Sequence, residues 1–380
     1  MYATKPLSLF KSHPAAASRP PPEGRNSGYL VVKGADDDGD DDGETCCWGT
    51  CGGTRVRSLP FPQNRVLTVR YTEHHGESST TYSDAVVFVP VPDQPLSSNR
   101  YYAVVATGRR RGLVRACSRE EDMVTCCFCR CIRDVEPRPF DPADVYQQME
   151  IVQRRPGRFT ARAVAGDGFP YFLYRKKYWR VYASKPKGFA LGEARGLDAG
   201  LRTRQLTAGL VAGAFSAPAN TAAVVGRWYC PFYLVKEDGG GVAPAEQMER
   251  SAFYEVALEQ RWEAVHANGG GSKLASKKAL IGGSVEVTQE AAAGSSRYGD
   301  GYVWFRAAAS GQRVGVCTSV WERMRWEEYR GGWVDEEEDA GNVAGGSLVL
   351  VERFVVKRMD GSILVAFDFV HLNKVRAKHV

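Results

Sequence analysis

Apolar and polar residues alternate with a period of two along much of this chain, so its dominant prediction is strand. Residues 66–72 and 82–90 carry the alternation on either side of a polar turn at 74–79, which predicts a β-hairpin. Residues 101–107 and 113–117 form a second pair around the basic tip 108–112. The plan recurs: 178–184 followed by Gly188 and Phe189 repeats it with a one-residue gap, and 302–317 repeats it more loosely. Residues 28–33 read as a short strand, and 169–182 and 227–236 as aromatic, strand-rich segments. At the C-terminus, 348–358 and 363–371 flank Met359-Asp360-Gly361-Ser362. A two-residue type I′ turn at Asp360-Gly361 would set Phe354 against Phe367, Val356 against Val365 and Arg353 against Asp368. Partners matched in kind argue against register slippage.

Two stretches break toward the helical period. In 245–267, Met248, Ala252 and Val256 with Tyr254, Leu258, Trp262 and Val265 recur at three- and four-residue spacing, and Asn268-Gly269 supplies a C-terminal stop. Asp141 as N-cap before Pro142 predicts a helix opening into 141–153. The expected fold is therefore β-dominated α+β, with antiparallel, sandwich-like sheets and hairpins plus one long amphipathic helix. The expected organisation is a Pro-rich surface arm (1–27), an N-terminal β-rich domain (28–135), a linker with a basic aromatic segment and an Ala/Gly-rich loop (136–226), and a C-terminal α+β domain (227–380).

Composition changes this picture little. The chain has 380 residues, 43% hydrophobic and 25% charged, as a soluble globular protein of two or three domains would. A net charge of +6 at this length points to no particular partner. The N-terminus has no continuous apolar run, so no signal peptide is expected, and Tyr2 stands where myristoylation requires glycine. These features predict an intracellular, cytoplasmic protein. Residues 205–226 carry no charge but are rich in Ala and Gly and contain Pro218 and Asn220, so no transmembrane segment is expected. Asp38, Asp40, Asp42 and Gly43 open like a calcium loop, yet Gly49 occupies the position of the bidentate glutamate, and the tract reads as solvated and acidic.

Candidate chemistry centres on cysteine. Seven of the ten cysteines lie in two clusters, Cys46, Cys47 and Cys51, and Cys126, Cys127, Cys129 and Cys131. They are candidate ligands for a structural zinc ion, although adjacent cysteines depart from paired CxxC knuckles. S-acylation with peripheral membrane association is a second reading, and buried thiols acting as small apolar side chains a third. Lysines and arginines outnumber acids from 138 to 204, and Arg175-Lys176-Lys177-Tyr178-Trp179-Arg180 combines cations with rings as a nucleic-acid surface does. No nucleic-acid fold signature accompanies it, so a strand with aromatics facing a core and cations facing water is preferred. No Walker loop, dinucleotide fingerprint, HExxH or nucleophile elbow occurs. The six histidines are scattered, and Glu322, Glu327 and Glu328 among Trp321, Arg323 and Trp326 read either as a paired-carboxylate site or as a charged face.

The motifs MYATKPLSLF, PPPEGRNSGYLVV, LPFPQNRVLTVRY, QPLSSNRYYAV, SREEDMVTCCFCRCIRDV, RWYCPFYLVKE, QMERSAFYEVALEQRWE and LVERFVVKRMDGS together resemble a plant family known as domain of unknown function 1262. They run from Met1 almost to the end of the chain. Departures fall in the Asp-rich insert 36–42, in 206–225 and in the glycine-rich connectors. The resemblance implies a land-plant protein and places the CCFCRC cysteines and Cys230 inside family motifs. It implies no activity, cofactor or partner. The functional expectation is a non-enzymatic binding or scaffold protein whose hairpin loops engage a protein or carbohydrate partner. The alternatives are a cysteine-cluster protein that binds zinc or lipid, and a hydrolase or transferase with an unfamiliar site.

Overall fold

The computed structural model describes residues 1–21, 26–34, 54–126, 129–184, 191–203, 222–237, 241–265, 279–282, 285–289, 301–307, 310–332 and 347–377. In chain order the strands are β1 (Tyr2–Pro6), β2 (Gly28–Val32), β3 (Thr54–Val56), β4 (Leu67–His75), β5 (Ser78–Pro90), β6 (Arg100–Val105), β7 (Met123–Cys126), β8 (Cys129–Ile132), β9 (Gln148–Arg155), β10 (Arg158–Ala163) and β11 (Arg180–Ala183). They continue with β12 (Gly196–Leu197), β13 (Ala223–Pro231), β14 (Val235–Glu237), β15 (Phe253–Val265), β16 (Ala279–Ile281), β17 (Val285–Gln289), β18 (Tyr302–Arg306), β19 (Arg313–Cys317), β20 (Ser347–Arg358) and β21 (Ile363–Ala377). The α-helices are α1 (Leu7–Ser12), α2 (Phe172–Arg175), α3 (Ala199–Thr203), α4 (Pro244–Arg250) and α5 (Thr318–Gly332).

Period-two patterning decides the first sheet, in the order β10-β9-β6-β5-β4-β11-β3. Leu67, Val69, Val86, Phe88, Tyr101, Ala103, Met149, Ile151, Val181 and Ala183 all turn to one side, where they are buried together. Phe61, Phe159 and Trp179 complete this core, with Phe61 5.0 Å from the Phe159 ring and 5.1 Å from Phe88. The sheet curls until its β10 edge reaches the start of β11, beside the short β3. Phe159 N–H donates to Trp179 O at 3.0 Å and Trp179 N–H returns the bond at 3.1 Å, so β10 is stitched to the start of β11 and the sheet becomes a small barrel. The expected hairpin at 66–90 is present, with His75 opposite Ser78 and Gly76 at φ +62° supplying the left-handed turn residue. Strands from both sides of the expected 135/136 division thus share one sheet.

The larger sheet runs β14-β19-β18-β17-β16-β21-β20-β15-β13-β1-β2, with β12 also on β13. Because β13 leads through the 3₁₀ turn Phe232–Leu234 directly into β14, which pairs with β19, this sheet also folds back on itself. Its inner side, with Val320 and Met324 of α5, buries the main apolar cluster. The predicted C-terminal register is observed: Arg353 faces Asp368, Phe354 faces Phe367 and Val356 faces Val365. The turn is of another type. Gly361 N–H donates to Arg358 O at 2.9 Å and Gly361 alone takes a positive φ of +85°, which makes a three-residue loop. Lys357 then pairs with Ile363, and a bulge at Leu364 restores the predicted pairing one step on.

Other expectations are corrected. The long helix at 245–267 is α4 followed by β15. Four-residue spacing satisfies period two as well as period 3.6, and Tyr254, Val256 and Leu258 alternate strictly as a strand held between β13 and β20. Ser251, at φ −160° and ψ 113°, breaks the helix where the strand begins. The N-terminal segment is not a surface arm: Met1, Tyr2 and Ala3 are buried, β1 pairs with β13 and β2, and Leu7 and Phe10 pack with Val31 and Leu96. Its prolines obscured this apolar content. No α-helix opens at Asp141: its Oδ1 accepts from Ala143 N–H at 2.9 Å, Asp144 accepts from Tyr146 N–H, and the chain passes into β9. The segment 169–182 is also not all strand, since α2 interrupts it.

The outer edge of β2 is sealed by amides. Val31 N–H donates to the Gln63 side chain, Gln63 N–H to Val31 O at 2.8 Å, and Lys33 N–H to Asn64 Oδ1 at 3.2 Å.

Candidate functional site

Closure of the barrel creates a surface of unusual composition along its seam. Trp179 is buried and its indole Nε1 donates to Tyr174 O at 3.0 Å, anchoring the strand. Tyr178, immediately before it, takes φ +72°, a region a residue other than glycine seldom occupies, and its ring is 44% exposed. Arg158 Nη1 donates to Tyr178 O at 3.4 Å, and the Arg155 guanidinium lies 5.8 Å from the Tyr178 ring centroid. Arg155 and Arg158 are direct cross-strand partners around the Gly157 turn, and Gly157 N–H donates to Arg57 O at 2.6 Å. From Trp179 onward the strand alternates as expected: Trp179, Val181 and Ala183 turn inward, leaving Arg180 and Tyr182 on the outer wall. There Arg180 faces Arg70, whose guanidinium lies 5.2 Å from the Tyr182 ring.

Two arginine pairs therefore face each other across strands within one barrel wall. Partners elsewhere sort the cations of the 175–180 segment. Arg175 binds Asp134 at 2.9 Å and Lys176 binds Glu73 at 2.7 Å, whose carboxyl the lysine holds below its ordinary range. By contrast, Arg154, Arg155 and Lys177 make no ion pair among the described residues. The result is an exposed ring with the Arg155 guanidinium beside it.

The other candidates are arranged differently. Cys46, Cys47, Cys51 and Cys127 lie outside the described residues. Cys126 and Cys129 are cross-strand partners in the two-stranded β7–β8 hairpin; Cys129 is an exposed free thiol and Cys131 is disulfide-bonded. Among the described residues, no three or more His, Cys, Asp or Glu are grouped to hold a metal. Cys117 and Cys230, outside both clusters, are buried, and burial pushes each thiol up to about 12.

Glu322, Glu327 and Glu328 do not converge. Glu322 accepts from Asn26 Nδ2 at 3.2 Å and Glu328 pairs with Arg325, whereas Glu327 is buried between Arg323, at 3.0 Å, and Arg202, at 3.2 Å. Arg202 also forks onto Glu352 through bonds of 2.7 and 2.6 Å. This buried network joins α3, α5 and β20, and burial still pushes the Glu327 carboxyl up. A second such group has Glu237 accepting from Tyr254 Oη at 2.7 Å and from Arg358 at 3.0 and 2.8 Å. Sequence reading missed both, because their members are separated by up to 150 residues. Of the histidines, His74 and His75 are exposed at the end of β4, with His75 3.7 Å from Glu73.

Residues 23–128 match the model of a family described as a protein of unknown function (DUF1262). The match covers β2 through β7, less than the span over which motifs had suggested the resemblance. No curated protein matches the chain. Among solved structures, the crystal structure of Cry35Ab1 is similar over 83% of this chain and 90% of that one, at 10% identity and a TM-score of 0.42, a likeness too distant to bear on function. Among the described residues, no helix is long and apolar enough to cross a membrane.

Proposed function

We propose that this chain is a non-enzymatic binding protein whose recognition surface is the outer side of the barrel seam, and that its partner presents an extended row of negative charge. The observation that carries this reading is the exposed Tyr178, at φ +72°, with the Arg155 guanidinium 5.8 Å from its ring, while Arg154, Arg155 and Lys177 make no ion pair among the described residues. Rigid attachment supports it. Tyr178 is followed at once by the stitched, buried Trp179, so little ordering is left for binding to impose. The β9–β10 hairpin also fits the expectation that hairpin loops engage the partner.

Retention on a resin carrying a sulfated polysaccharide, measured against salt, tests the proposal. The wild type should bind at low salt and release as ionic strength rises. A variant combining Arg154→Ser, Arg155→Ser and Lys177→Ser should elute earlier with unchanged thermal stability. Identical elution of the two proteins would overturn the assignment of the surface.

A further inference from the structure

Resting on that reading, we infer that the seam recognises a carboxylate-bearing polysaccharide, a chain of uronic-acid sugars, through repeated pairs of one tyrosine ring and one guanidinium. Two such pairs occur: Tyr178 with Arg155 at 5.8 Å, in the turns at the seam, and Tyr182 with Arg70 at 5.2 Å, on the outer wall. Their rings belong to one segment four residues apart, roughly 13 Å at the rise of an extended chain. A repeated protein unit at fixed spacing suits a ligand that repeats. Each half has a match in a uronate sugar, since an aromatic face packs against the apolar face of a sugar ring and a planar guanidinium takes a carboxylate through two parallel hydrogen bonds.

Competing polyanions fit less well. Single-stranded nucleic acid is held by successive bases stacked on exposed rings. Here Tyr178 is exposed and Tyr182 half-buried, which leaves room against Tyr182 for part of a sugar ring but not for a fully stacked base; Tyr329, also exposed among the described residues, belongs to α5. An anionic membrane surface would call for apolar side chains projecting beside the cations. Outside Tyr178, the large apolar or aromatic residues exposed among those described are Val124, Val145, Val224, Tyr329 and Ile363, none of them in the strands or turns that form the seam. Arg rather than Lys stands beside both rings, which favours planar, forked recognition over a point charge.

The test is a binding titration of the full chain with polygalacturonate oligomers of defined length. Methyl-esterified polygalacturonate, a sulfated polysaccharide, a single-stranded oligonucleotide and anionic phospholipid vesicles serve as comparison probes. The free-acid oligomer is expected to bind at least ten-fold tighter than its methyl ester, with affinity rising until the oligomer spans both tyrosines. Tyr178→Ala should weaken it at least ten-fold, while Arg155→Lys should reduce the preference for acid over ester. Tighter binding of the sulfated polysaccharide, the oligonucleotide or the vesicles would overturn the carboxylate assignment and leave polyanion binding intact, whereas equal affinity for the uncharged ester and the acid would overturn both. Failure of every anionic probe would overturn the underlying reading as well.

Discussion

A methyl group on Gly112 would lie 2.5 Å from the carbonyl oxygen of Pro244. Gly112 closes the basic tip after β6 in the barrel, and Pro244 begins α4 beside the larger sheet, so the two units meet here backbone to backbone. Arg111 and Glu249, 3.9 Å apart, lie next to the contact. Gly112 also takes φ +82°, while Gly108, at φ +75° in the same tip, has nothing within 4 Å of where its Cβ would be. Gly108→Ala should therefore cost about 1–2 kcal/mol, the penalty of the left-handed conformation alone. Gly112→Ala should cost about 1–3 kcal/mol more through the clash. Equal losses in chemical denaturation would show that the contact contributes nothing.

The buried charge network separates removal of a partner from removal of a charge. Arg202→Met strips Glu352 and Glu327 of their shared cation and should cost about 3–5 kcal/mol. Glu327→Gln keeps the shape and removes a carboxylate that burial already disfavours, so its cost should be much smaller. Denaturation midpoints of the two variants measure the difference; similar losses would contradict it.

Acid stability should depend on Glu237 and Asp368. Burial alone would raise both carboxyls, but hydrogen bonds and charge from Arg358 and Tyr254 in the first case, and from Arg353 and Arg261 in the second, outweigh it. Both end below their ordinary values of 4.5 and 3.8. An acid depressed in the folded state contributes stability above its unfolded pKa and loses it as pH falls through the folded value. The melting temperature should hold from neutrality to about pH 4.5 and then decline. Glu237→Gln should melt lower at pH 7, with the gap to wild type narrowing toward pH 3. A constant gap would refute the linkage.

Thiol reactivity should follow burial. Cys129 should react with a thiol reagent at pH 8 in the native protein, whereas Cys117 and Cys230, buried and pushed up to about 12, should react only after unfolding. Peptide mapping of labelled sites before and after denaturant decides this. Native labelling of Cys230 would mean that the core opens around β13.

Much of the β architecture was legible because it rests on local alternation. Phe354, Val356 and Arg353 could be matched to Phe367, Val365 and Asp368 by kind and spacing alone. The length of β15 was illegible, since residues four apart satisfy either period and the choice was made by β13 and β20 on its flanks. The seam was half legible. The run of cations and rings at 175–180 is plain in the sequence, but Asp134 and Glu73, which neutralise Arg175 and Lys176, are remote in the chain, and Arg155 reaches Tyr178 only once the barrel closes. The buried arginine–glutamate network carries no local pattern.

The amides that line β2 bear on how this protein behaves at high concentration. An edge strand with unsatisfied N–H and C=O groups is a template for a second chain. Gln63 and Asn64 occupy that template from within the same molecule, bonding Val31 and Lys33 with side chains that cannot propagate a sheet. Substituting both with alanine would free the N–H groups of Val31 and Lys33 for a second chain, and the first symptom would be self-association of folded molecules.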